Sequence, residues 1–73
     1  MLAILYVQGK KPEQIWVRPT DFIGNKEDRS YFFAKLLNEP FDETYGVHNG
    51  EQVVLLIDQH DGDVIAMCFP TPN

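Results

Sequence analysis

The stretch Val53-Val54-Leu55-Leu56-Ile57, the turn around Asp61-Gly62 and the return Val64-Ile65-Ala66-Met67-Cys68-Phe69 constrain this chain more than anything else in it. Both arms are apolar, rich in β-branched residues and uninterrupted, the pattern of paired strands. An Asp-Gly pair between such arms marks a tight hairpin, because glycine supplies the positive φ that the turn demands. Successive side chains of a strand point to opposite faces. An arm without polar alternation is therefore apolar on both faces, and Leu2–Val7 at the other end of the chain has the same character.

A sheet with one face in water should alternate apolar and polar residues. A chain of 73 residues has little else with which to cover a second face, since chains near this length bury only about 60% of their unfolded surface. Two outcomes are open. The sheet curls into a small barrel, or one face is covered by another molecule. Curling together with some self-association is the expectation.

Stability must come from packing or association, because Cys68 is the only cysteine and no disulfide can form. One cysteine suits a reducing cytoplasm. Cys68, His48 and His60 are scattered, with no two at ligand spacing, so no metal site and no cofactor is expected. The apolar start MLAILYVQGKK has its charges after the apolar run, unlike a secretory signal. No run approaches the roughly 20 apolar residues of a membrane span, so no membrane partner is expected.

Charge is divided unevenly along the chain. Residues 1–35 carry six Lys and Arg against four Asp and Glu, whereas residues 36–73 carry seven Asp and Glu and no Lys or Arg. An acidic half repels phosphate, which argues against nucleic acid and toward a basic protein partner. The competing account is that acidic residues simply keep the chain in solution.

Strand signals follow in order: Leu2–Val7, then Gln14–Arg18 after the turn Lys10-Lys11-Pro12. Pro19 ends the second strand or marks a sheet edge, and Phe22-Ile23 continues along the sheet. Residues 24–29 are polar and read as a mobile loop. FAKLLNEPF, residues 33–41, is ambiguous. Phe32, Phe33, Leu36 and Leu37 would form a helical stripe ended by Pro40, while the Tyr31-Phe32-Phe33 trio favours a strand.

Three short pieces carry a resemblance. They are Trp16-Val17; Ala34–Pro40, similar to a Gly-x-Leu-x-Asn-x-Pro signature; and Gly46–Val53, similar to a segment in which Gly-Asp precedes a strand. In this order they resemble the YegJ-like family of bacterial domains of unknown function, over roughly residues 14–57. The resemblance implies that FAKLLNEPF is a strand entering a turn. It implies a fold type and no activity.

Candidate chemistry is thin. Cys68 beside Met67 and Phe69 reads as a buried structural thiol, not a nucleophile. Asp58, Asp61 and Asp63 miss the spacing of a calcium loop. Glu39, Asp42 and Glu43 read as a charged loop. If Ile15 and Val17 face the core, Trp16 and Arg18 face outward, and Trp and Tyr are the residues of binding hot spots. Trp16, Arg18, Tyr45, Asp42 and Glu43 are therefore the candidate partner-binding residues. No catalytic residue is assigned.

The sequence thus leads to one domain, residues 1–73, mainly β. Its expected architecture is a strongly bent antiparallel sheet of about five strands that can close as a small SH3-like barrel, with at most one short helix. The expected function is that of a non-enzymatic cytoplasmic interaction module, of the kind an immunity protein or antitoxin exemplifies. The alternative is a homodimeric structural domain.

Overall fold

A computed structural model describes residues 1–71. Among the described residues five strands follow one another as β1 (Leu2–Leu5), β2 (Glu13–Lys26), β3 (Arg29–Leu36), β4 (Gln52–His60) and β5 (Asp63–Pro70), and the only helical piece among them is the 3₁₀ turn Glu43–Tyr45. The strands pair in chain order and close into a barrel. Consecutive pairs are antiparallel, but β1 meets β5 in parallel through Ile4↔Met67 and Leu5↔Cys68. The parallel seam is a consequence of parity: five strands that reverse direction at each step leave the first and last running the same way.

Alternation places every second residue inside. One inward row runs Phe32, Leu55, Cys68, Leu5 across four strands. Ala3, Ile15, Val17, Ala34, Leu36 and Val53 complete the wall of the core, and Tyr45 and Val47 from the β3–β4 loop close one pole. Complete burial of a Leu, Ile or Val is worth about 1.5–3 kcal/mol, so these few side chains carry most of the stability.

The outward rows are almost as apolar. Tyr31, Leu56, Met67 and Ile4 align across β3, β4, β5 and β1, and Phe33, Val54 and Phe69 align beside them. Tyr6 stacks on Phe69 with ring centroids 5.8 Å apart. These side chains shield one another only in part. The barrel therefore hides one face of the sheet and leaves the second outside.

FAKLLNEPF is a strand as far as Leu36 and then turns. The helical stripe loses because Ala34 and Leu36 point inward while Lys35 and Leu37 point to water, a period of two. Two expectations are corrected. Strand β2 does not end at Pro19 but runs to Lys26, with register shifts at Pro19/Asp21 and Phe22/Gly24. The alternative placement of Pro19 at an edge is what occurs, since β1 pairs β2 only up to Trp16, with Met1 and Val17 exchanging backbone bonds beyond it. Residues 24–29 are not a loop either. They form the tip of the β2–β3 hairpin, with Glu27 at φ 57.

Candidate interaction surface

Residues Leu2, Trp16 and Leu37 form one outward row on β1, β2 and the end of β3. Leu2 lies directly opposite Trp16, and the Leu37 N–H donates to the Trp16 carbonyl at 2.8 Å. All three are exposed, Trp16 by 54%. An aromatic side chain of this size offers roughly 150–250 Å², so Trp16 alone leaves on the order of 100 Å² of apolar surface in water. Arg18 and Lys35, directly opposite each other and both exposed, border this row.

From Leu37 the β3–β4 loop folds back along β2, held at each step. Asn38 Oδ1 accepts from the Trp16 N–H at 2.9 Å. The Glu13 carboxylate accepts from the Phe41 N–H through both oxygens, at 3.1 and 2.9 Å. Lys10 Nζ donates to the Thr44 hydroxyl, and the Tyr45 hydroxyl donates to the Lys11 carbonyl. Asp42 caps the 3₁₀ turn by accepting from the Thr44 N–H at 2.8 Å. The Thr44 bonds hold its carboxyl below the usual Asp range. At the far end of the loop Glu39 accepts from the Asn49 N–H and contacts His48, and these bonds in that order lower the Glu39 pKa.

Between these fastenings stands Phe41. Its backbone is clamped and the preceding Pro40 is buried, yet its side chain is 96% exposed. Glu39, Asp42 and Glu43 flank it, and no Lys or Arg occurs anywhere in residues 36–73.

Of the residues singled out from sequence, Trp16 and Arg18 face outward on β2, and Asp42 and Glu43 are exposed on the β3–β4 loop, where Thr44 next to them meets Lys10. Tyr45 is different: it is 7% exposed and belongs to the core. Burial first, then the nearby Glu13 and Asp42 carboxylates, raises its pKa. Its aromatic ring packs in the core at one pole of the barrel, so it supports the loop. Phe41, Leu37 and Leu2 were missed. Phe41 had a signal, being an aromatic in a polar turn segment with Glu39 and Glu43 at strand spacing on either side.

Cys68 is fully buried, and desolvation pushes its thiol up to about 12. His48 faces Glu39 at 3.2 Å, and His60 faces Asp61 at 3.2 Å and Asp28 at 3.6 Å, all at the surface. Among the described residues no three His, Cys, Asp or Glu side chains gather as a metal-binding set. Among the described residues no helix is long and apolar enough to cross a membrane. Compared with known proteins, the chain matches no family model, no curated protein and no solved structure.

Proposed function

We propose that this protein is a non-enzymatic interaction module that docks a protein partner through Leu2, Trp16, Leu37 and Phe41. The observation that carries this is Phe41: the fold spends a bidentate carboxylate contact and a buried proline on holding an apolar ring in water. The clamp serves the loop that brings Tyr45 and Val47 to the core, but the exposed ring itself adds nothing to the chain's own packing, and exposed apolar groups of this kind mark interaction sites. The backbone that carries the ring is clamped before binding, so its ordering adds little to the cost of docking.

The carboxylates next to Phe41 support one kind of partner. Glu39, Asp42 and Glu43 around Phe41 favour a basic surface, and their attraction fades with salt. Chemistry at Cys68 is disfavoured, since a thiol near pKa 12 has almost no thiolate at neutral pH.

The test is capture on immobilised protein at low and high salt, with wild type beside a Trp16→Ser, Phe41→Ser double variant of unchanged circular dichroism. A specific partner retained by wild type and lost by the variant supports the proposal. Equal retention by both removes it. A second reading, a homodimer, draws on the charge-free outward rows through Met67 and Phe69. Light scattering across protein concentration separates the two.

A further inference from the structure

Strands β1 and β5 share only the pairs Ile4↔Met67 and Leu5↔Cys68. Toward the β4–β5 turn they part, and a cavity of about 250 Å³ opens between Leu2–Ile4 on one side and Val64–Ala66 on the other. The Tyr6 N–H donates to the Cys68 carbonyl, so the backbone groups of Cys68 face β1. By alternation those of Ala66 and Val64 face the same way. Val64 lies beyond the last paired residue, and its backbone faces the opening. Val64 and Ile65 are 59% and 50% exposed.

The two unpaired edges of the sheet are unlike. Along its free edge β2 carries Pro19, two register shifts, Asp21 and Lys26, the devices that keep a foreign strand from pairing. The β5 edge has β-branched residues and one charge, Asp63, at its start. A second concavity adjoins it and shares Ile65. There the carboxylates of Glu27, Asp28, Asp58 and Asp63 outnumber the single cation Arg29, which is paired with Asp58 at 3.3 Å.

We propose that this seam is a strand-accepting site for an extended segment of a partner protein in which aliphatic residues alternate with Lys or Arg. The segment's backbone pairs with Val64. Its aliphatic side chains enter the slot beside Ala3, Val64 and Ala66, and the alternate positions carry their cations to Asp63 and Glu27. Edge addition of this kind takes affinity from the main chain and specificity from every second side chain. The seam adjoins Leu2 but uses neither Trp16 nor Phe41, so it goes beyond the docking surface proposed above.

The probe is an acetylated, amidated hexapeptide of three Val-Lys repeats, titrated into ¹⁵N-labelled full-length protein and followed by amide shifts and hydrogen exchange. The expected result is saturable shifts at Leu2–Ile4 and Val64–Ala66, slowed exchange at the Val64 amide, and weakening by added salt and by Asp63→Asn. A Val-Glu hexapeptide should give no shifts. Absence of shifts at Val64 at millimolar peptide overturns the proposal, as do equal shifts with Val-Glu. Shifts confined to Leu37 and Phe41 also overturn it while leaving the other surface standing. Self-association of peptide-free protein that protects the Val64 amide would give the edge to a second copy and overturn it too.

Discussion

Replacing Leu55 by Ala, and separately its neighbour Val54 by Ala, tests which face of the sheet is the inside. Leu55 is fully buried in the row Phe32, Leu55, Cys68, Leu5, while Val54 is only half-buried in the outward row with Phe33 and Phe69. A fully buried Leu→Ala costs about 2–5 kcal/mol, the lost transfer energy plus a cavity. At roughly 0.05–0.15 kcal/mol per residue the whole domain has about 4–11 kcal/mol to lose. The midpoint of thermal unfolding should fall by about 8–40 °C, taking 4–8 °C per kcal/mol for a domain of this size. Val54→Ala should cost about 1 kcal/mol or less. Circular dichroism in urea and on heating reads both. Because a one-residue slip sends every side chain to the opposite face, comparable costs, or a larger cost at Val54, would refute the register.

Other consequences are independent of that one. Gly62→Ala should destabilise by on the order of 1 kcal/mol, read by urea unfolding, because Asp61 and Gly62 sit at φ 51 and 84 and the penalty comes from the backbone, with no atom within 4 Å of the added carbon. Cys68 has a folded pKa raised from 9.0 to about 12 by burial. Its contribution is thus fully present below pH 9 and lost as pH rises toward 12. The alkaline fall of the thermal midpoint should be shallower in Cys68→Ala than in wild type. Glu39 has a lowered pKa, so its hold on the Asn49 amide persists through the ordinary Glu range and is released only as pH falls below it. The Asn49 amide shift, followed by pH titration, should move there in wild type and stay flat in Glu39→Gln.

Much of the barrel was legible because its cause is local. Three apolar runs with no alternation require two covered faces, and the Asp61-Gly62 pair fixes how the last two meet. That Ile15 and Val17 share one face and Trp16 and Arg18 the other followed from period two, and the closed barrel shows the first pair to be the inward one. What stayed hidden depends on distant contacts. Pro19 reads equally as a stop or as a sheet edge, and the edge prevails because β3 supplies partners on the other side of β2. Tyr45 looks like a loop aromatic, and only the closed pole shows that it is core. Phe41 owes its position to Glu13, 28 residues away, which no local pattern announces. The divided charge was visible at once. Its placement around an exposed aromatic required the loop to be folded.

The most direct measurement of the barrel itself is at its seam. Nuclear Overhauser contacts should link Ile4 with Met67, and the Tyr6 amide should resist hydrogen exchange because it donates to the Cys68 carbonyl at 2.9 Å. Those contacts together with a protected Tyr6 amide are the predicted result. A Tyr6 amide that exchanges as freely as a loop residue, with no contact between Ile4 and Met67, would mean an open sheet and would contradict it.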